Sequence, residues 1–374
     1  MKEVGANRFF NRRQFVYSSL MAAGFSLAYP GCFAGLGPEE KLRLGARLKS
    51  EGDVGPEPLP PTRIYPAMPH AVVAAVGVRD CIEAAVREAV LASGGLDEIQ
   101  PGQTVLIKPN ICGPALGSKY PGRITTNPEV VRAVIRIIKE RKPSKIFVGD
   151  RAMLETNLAF LTSGIARVCQ EEGVIGLPWT RCEYIRFFPG KRHWSKGFRM
   201  PKIVRDVDHF INVPLLKNHG GGRSDFTCCM KAYVGVCLPL DRHQEGPDAF
   251  HTRNIAEKIP ELNLARKPTI NIVDAIEIMV KGGPDGMKKD SIWCKSNLIL
   301  ASKDRVACDS FALAVLKRYG AENKVDLPYL KKSVWDQPQI YYGAELGLGQ
   351  AEPGNITIED IKAPLFDEIK SNWA

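Results

Sequence analysis

The chain has 374 residues, 44% of them hydrophobic and 25% charged, and 51 Lys and Arg against 41 Asp and Glu leave a formal net charge of +10. That hydrophobic share excludes a disordered chain, and the length suffices for one large domain or two modest ones with a well-buried core. The basic balance favours acidic ligands; nucleic acid is set aside as a partner, because the cations are dispersed and no nucleic-acid-binding motif occurs.

Near the start, Asn11-Arg12-Arg13-Gln14-Phe15-Val16 is followed by an apolar stretch to Ala34, a pattern that resembles a twin-arginine export signal. Tyr29, Pro30 and several small polar residues make this stretch a poor membrane span. Residues 1–36 are therefore read as the signal, with Ala34 a candidate for the position before the cut. Tyr29-Pro30-Gly31-Cys32 is a poor sequence for lipid attachment at Cys32. The twin-arginine translocon carries folded proteins, so the expected address is periplasmic or otherwise extracytoplasmic, and loading of a cofactor before export is the usual reason for the route.

Residues 37–70 read as a tether, since Gly55, Pro56, Pro58, Pro60, Pro61, Pro66 and Pro69 suit neither a helix interior nor a central strand. From Ala71 short apolar runs alternate with helical patterns, which predicts an α/β domain over 71–350: a mostly parallel sheet flanked by helices. Strands are expected at 71–76, 104–107, 145–148, 209–213, 269–273 and 297–300. Helices are expected through Ala84 to Val90, from Asn127-Pro128-Glu129 to Ile138, and over 156–172, 253–265 and 305–319. Asn127 is a ready N-cap, with Pro128 and Glu129 suited to the first turn. Residues 174–205 are irregular and read as an insertion or small antiparallel subdomain, and 351–374 as a C-terminal tail.

Nine cysteines follow Cys32, an odd number with no Cys-x-x-Cys pair, so neither zinc-ribbon nor ferredoxin spacing is present. Cys169 and Cys308 fall in apolar helical patterns and read as core. Cys228 and Cys229, placed on a helix, would point about 100° apart and share no ligand well.

In an open parallel sheet, ligands bind outside the carboxyl ends of the strands. Four such ends are polar here: Lys108-Pro109-Asn110, Gly149-Asp150-Arg151, Lys217-Asn218-His219 and Asp274. Lys108 directly follows an apolar strand, so its ammonium needs a partner. The stretch 214–251 is densest, with Lys217, His219, Gly220-Gly221-Gly222, Arg223, Asp225, Lys231, Arg242, His243 and His251. The glycines allow backbone amides to face an anion beside Lys217 and Arg223. His219, His243 and His251 with Asp225 or Asp274 are candidate metal ligands of unfamiliar spacing. Asp309 lies inside an apolar helix and needs a cation, for which Lys108, Lys217 or Lys231 is the candidate.

These segments, Ile107-Lys-Pro-Asn110, Thr125-Thr-Asn-Pro-Glu-Val-Val131, Val148-Gly-Asp150, Pro214-Leu-Leu-Lys-Asn-His219, Lys231 with Gly235, His251, Asp274 with Gly282-Gly-Pro284, and Leu300-Ala-Ser-Lys-Asp-Arg-Val-Ala-Cys-Asp309, resemble in their order the domain of unknown function 362 family. The resemblance implies an α/β domain, the company of redox proteins and, in many members, a cysteine-rich iron–sulfur segment. No Cys-x-x-Cys-x-x-Cys run occurs here, and Ala232 stands where the family shows Asn after its lysine. The cofactor is thus left open between none, a metal and iron–sulfur.

The expectation is an exported enzyme acting on a small anionic compound, with oxidoreductase chemistry slightly preferred over isomerase or lyase and a redox protein as a further partner. Lys231, His219 and His251 are the candidates for proton transfer, and Lys108, Asn110, Lys217, Gly221 and Arg223 for binding. Asp150, Asp274 and Asp309 would orient the cations or hold a metal. The alternative is a non-catalytic binding or delivery protein for an anionic cofactor or metal complex.

Overall fold

The computed structural model describes residues 70–114, 124–153, 155–180, 182–190, 193–219, 224–244, 246, 249–284, 286 and 289–373. The signal and nearly all of the tether lie outside the described residues, as do Gly221, Arg223 and Asp285.

One ten-stranded sheet organises the chain. Its strands are β1 (Ala71–Gly77), β2 (Thr104–Pro109), β3 (Lys145–Asp150), β4 (Ile175–Pro178), β7 (His209–Val213), β8 (Leu215–Asn218), β9 (Phe226–Thr227), β10 (Ile270–Lys281), β11 (Ile292–Ser302) and β12 (Ile356–Ile361), while β5 (Tyr184–Phe187) and β6 (Phe198–Pro201) form a separate antiparallel pair. The main order is β12-β1-β11-β10-β7-β2-β3-β4, with β11 antiparallel to both neighbours and the other pairings on this path parallel. This is the mostly parallel α/β sheet expected from the alternating pattern.

Period-two alternation divides the strands' apolar residues between two cores, one on each face. Val105, Ile107, Ile211 and Ile299 join one core, whereas Leu106, Phe210, Leu298 and Leu300 join the other. Helices α1 (Ile82–Ala92), α2 (Pro128–Lys139), α3 (Thr156–Thr162) and α4 (Ile165–Glu171) cover the first face. Helix α2 begins where the sequence predicts: Asn127 accepts a hydrogen bond from the Glu129 amide at 2.9 Å, with Pro128 in the first turn. A single helix over 156–172 is interrupted between α3 and α4, where Gly164 takes φ +82°, a conformation that ends helices.

The second face is covered by α5 (Ile255–Leu262), α6 (Arg305–Glu322), α7 (Pro338–Glu345) and α8 (Phe366–Trp373). Helix α6 is buried on nearly every side, and Asp304 caps it by accepting from the Val306 and Ala307 amides at 2.9 Å each. Residues beyond 350 are part of this body and not a tail: β12 is an edge strand parallel to β1, and Trp373 of α8 donates to Ser310 of α6 at 2.9 Å. Within 174–205, β4 extends the main sheet while β5 and β6 pair with each other, and Trp179 and Trp194 are core residues.

Strand β10 runs past its expected end at 273 to Lys281, with a register shift after Ala275. It pairs first with β7 and then with β8, which Pro214 separates. Asp274 therefore lies within a strand, and the three remaining polar ends are those of β2, β3 and β8.

Candidate functional site

Lys108 and Asp150 close the ends of adjacent parallel strands, and both are buried, at 0% and 1% exposure. Lys108 Nζ lies 2.7 Å from Asp150 Oδ1 and donates to the Pro109 carbonyl at 3.0 Å. It also sits 5.9 Å from the centre of the Trp179 ring. Asp150 Oδ2 accepts from the Ile111 amide at 2.6 Å. Burial pushes Lys108 down and Asp150 up from their usual ranges, and their mutual attraction opposes both shifts. Gly235 packs against this pair so closely that a Cβ there would fall 2.2 Å from Asp150 Oδ1 and 3.0 Å from Lys108 Nζ. Gly235→Ala is accordingly expected to cost about 1–3 kcal/mol through overpacking; an unchanged urea midpoint would contradict that packing.

Lys217, on β8, is 1% exposed and donates to the carbonyls of Ile124 at 3.0 Å and Pro284 at 2.9 Å. An ammonium has three protons to donate, so these two bonds leave one without an acceptor among the described residues. The Pro284 carbonyl is brought there by a backbone contact only glycine allows: a Cβ on Gly283 would lie 1.8 Å from the Asn218 carbonyl oxygen. Cys112 Sγ also approaches the Pro284 carbonyl, at 3.8 Å.

Lys231 opens a 3-10 turn, Lys231–Gly235, after a buried irregular segment. Side chains satisfy that segment's backbone, as buried peptide groups require. Asp309 accepts from the Cys229 and Met230 amides at 2.6 and 3.1 Å, while Asn212 donates to the Cys229 carbonyl at 3.0 Å and Asn263 to that of Met230 at 2.9 Å. Residues 228–230 are thus not helical, contrary to expectation, and the two cysteine sulfurs meet at 3.8 Å instead of diverging.

Lys231 Nζ donates to Ser224 Oγ at 2.9 Å; Ser224 donates to Gln339 Oε1 at 3.4 Å, and Gln339 Nε2 donates to Asp309 Oδ2 at 3.2 Å. Through this chain of bonds Asp309 is linked to the Lys231 ammonium. The expected direct pairing with Lys108, Lys217 or Lys231 is replaced by backbone and amide donors, and burial raises Asp309 to about 6. Burial and then the charge of Lys217 lower Lys231 to about 7, with Arg242 adding to the fall and Asp225 and Cys112 opposing it. Arg242 is held by donating to the Val234 and Cys237 carbonyls at 2.5 and 3.1 Å.

His219, 8% exposed, is pushed well below its usual value by burial, then by Lys231, His251 and Lys217. It is therefore neutral at neutral pH, and its Nδ1 has no hydrogen-bond partner among the described residues. His251 stacks on it with ring centres 6.2 Å apart and planes 12° apart. The three histidines and Asp225 do not converge closely enough to share a cation among the described residues. Asn110 holds the neighbouring loop: its amide donates to Thr126 Oγ1 at 2.9 Å and its carbonyl accepts from the Thr126 amide.

Asp274 stands apart from the lysines. Its carboxylate accepts from the Asn127 amide at 2.7 Å and the Ile276 amide at 3.2 Å, and it lines a cleft of about 600 Å³ with Asn127, Ser163, Arg167 and Glu277. It bears on Lys217 through the backbone, since its amide donates to the Pro214 carbonyl at 2.9 Å and it pairs with Leu215 on β8. Burial raises Asp274 to about 6, with the two backbone donors opposing and Glu277 adding to the rise. Between the unfolded value, about 3.9, and about 6 the folded chain binds more protons. Stability contributed by this group is present at the acid end and falls as pH rises through that window. Asp274→Asn is expected to flatten this part of a stability–pH curve; an unchanged slope would contradict the assignment.

The structure thus brings Lys108, Asp150, Lys217, Lys231, His219 and His251 into one neighbourhood and leaves Asp274 and Asp309 at its margins. Sequence reasoning left Arg242, Cys112, Ser224 and Gln339 out of the site. Arg242 was visible in the densest basic stretch, and Cys112 lies two residues past Asn110 at a strand end. Gln339 had no local signal, because only α7 packing back on the sheet brings it near Lys231.

Residues 105–314 match the family described as "Domain of unknown function (DUF362)". No curated protein matches the chain. Among solved structures, the lactate racemase apoprotein from Thermoanaerobacterium thermosaccharolyticum is similar at 10% identity and a TM-score of 0.32 over 64% of this chain and 56% of that one. A protein from Thermotoga maritima is similar at 11% identity and a TM-score of 0.30 over 58% of this chain and 53% of that one. The chain spans little more than half the length of either, and likeness this slight has no bearing on chemistry. The family match covers more than half of the chain and contains every cluster residue from Lys108 to Asp309, so the chain belongs to the DUF362 family.

Proposed function

We propose that this protein is an enzyme that binds a small carboxylate or phosphorylated compound and moves a proton on it. The observation that carries this reading is Lys231: it is 5% exposed, beside a second buried lysine, and lowered to about 7, where a lysine both accepts and returns a proton near neutral pH. Lys217 would hold the anion with the proton not given to Ile124 or Pro284, and Arg242 would add positive field. The neutral Lys231 amine would take a proton from the carbon beside the anionic group, and neutral His219 would hydrogen-bond the oxygen that gains charge. An anion entering the pocket relieves the repulsion between the two lysines, so binding and catalysis draw on the same charges.

Acid–base chemistry of this kind suits isomerisation or elimination, and it is also one half of a hydride transfer when an oxidised cofactor is bound. The oxidoreductase preference rests on the export signal, which forms part of this proposal together with the extracytoplasmic address. A reporter fused after residue 36 should leave the cytoplasm, and Arg12→Lys with Arg13→Lys should retain it there; export of the double variant would remove the twin-arginine reading.

The direct test is a panel of small carboxylates and phosphorylated metabolites scored by thermal shift and calorimetry on the full chain. At least one is expected to bind wild type and to lose about tenfold or more in affinity with Lys217→Met, since a hydrogen bond to a charged group is worth about 1.5–3 kcal/mol. Uniform failure of anions to bind, or binding indifferent to Lys217, would overturn the reading. Binding without any turnover would favour the delivery-protein alternative.

A further inference from the structure

Beneath the basic pocket lies a second chemical grouping, independent of the function proposed above. Cys228 Sγ and Cys229 Sγ are 3.8 Å apart, and a carboxylate oxygen of Asp309 completes a set lying within 4.8 Å of one another. All three residues are at 0% exposure. We propose that Cys228, Cys229 and Asp309 bind a structural divalent metal ion of the zinc class.

Three features support this. The first is spacing: two thiolates each about 2.3 Å from a tetrahedral zinc stand about 3.8 Å apart, which is the separation observed. The second is the aim of the carboxylate. Asp309 Oδ1 accepts one hydrogen bond, from the Cys229 amide, while Oδ2 accepts two, from Met230 and Gln339. Oδ1 therefore keeps a lone pair, and the amides fix its direction as outer-shell partners of metal ligands do. The third is the donor set, since thiolate sulfur and carboxylate oxygen are both ligand types that zinc takes.

Charge balance selects the ion. With both thiols protonated and the carboxylate ionised, this three-residue set carries one negative charge. When a divalent ion enters, Cys228 and Cys229 each release a proton to solvent, and two thiolates, one carboxylate and the ion again sum to one negative charge. No additional charge is buried by that exchange, whereas a monovalent ion bound by both thiolates would leave a further negative charge in the core. Soft sulfur with one carboxylate suits zinc or cadmium over magnesium or calcium.

The full chain, purified without chelators, is unfolded and refolded with zinc or with cobalt, and bound metal and its neighbours are measured by elemental analysis and X-ray absorption. About one ion per chain is expected, with at least two sulfur neighbours and, for cobalt, the thiolate charge-transfer band of a tetrahedral site. Cys228→Ser with Cys229→Ser should reduce bound metal to under about a tenth of an ion. Wild type that takes up no zinc or cobalt, metal with only nitrogen and oxygen neighbours, or undiminished metal in the double variant would each overturn the proposal. If the double variant does not fold, the sulfur count on wild type decides.

Discussion

Lys108→Met is expected to destabilise the folded chain by about 3–5 kcal/mol, and adding Asp150→Asn to recover most of that loss. Both side chains are buried and lie 2.7 Å apart at the ends of adjoining strands. Two charges taken out of water together gain from their attraction about what their desolvation costs, so deleting one partner leaves the other charged and uncompensated. Asp150→Asn removes that charge while keeping an oxygen for the Ile111 amide, which Asp150 now accepts at 2.6 Å. A double-mutant cycle by urea unfolding measures this coupling directly. If Lys108→Met alone costs less than about 1 kcal/mol, the pair is solvated and the floor of the proposed pocket is not what the geometry indicates.

Lys231→Met is expected to lower turnover of a substrate found by the anion panel about 10²–10⁴-fold while changing its affinity less than about tenfold. The base is the neutral amine, so the wild-type rate should rise with pH and level off above about 7. Lys217 is the largest charge lowering Lys231. Its replacement by Met should therefore do two things: weaken binding, and move the rise in rate to higher pH because the proton on Lys231 is no longer repelled. A Lys217 variant that binds weakly yet keeps the wild-type pH profile would separate the two lysines and contradict the shared pocket. Ser224→Ala gives a milder version, since it removes the oxygen that receives the Lys231 proton at 2.9 Å.

How much of this was written in the sequence depends on whether the determinant is local. Helix α2 was legible because its cap, proline and buried stripe are contiguous, and strands β1, β2, β3 and β7 because short apolar runs are bounded by turn residues. Helix α6 was legible for a similar reason, an apolar run behind the capping Asp304. The break at Gly164 was hidden, since the apolar pattern continues across it and only the backbone angle ends the helix. Strand β10 outran its prediction because β8 and β11 supply partners beyond the point where the apolar run becomes mixed. The edge position of β12 was equally hidden, as nothing near residue 356 announces that β1 lies alongside.

For the site, Lys108, Asp150 and Lys217 were legible as cations and an acid at strand ends, and Lys231 as one of the cations of the dense stretch 214–251. Asp309 was recognised as a buried carboxylate in need of partners, but the partners are amides of a segment eighty residues earlier, which no spacing rule reaches. The cysteine pair was misjudged for a related reason. A helix would have separated the sulfurs, and it is Asn212, Asn263 and Asp309, distant in sequence, that hold residues 228–230 out of one.

The proposed chemistry needs one buried ammonium that gives up its proton near neutral pH. Lysine Nζ resonances, or the rate of lysine-specific methylation followed residue by residue across pH, report that proton directly in the full chain. The account predicts that Lys231 titrates at about 7 and that this value climbs in Lys217→Met. Titration of Lys231 at the ordinary lysine value, about 10.4, indifferent to Lys217, would contradict it.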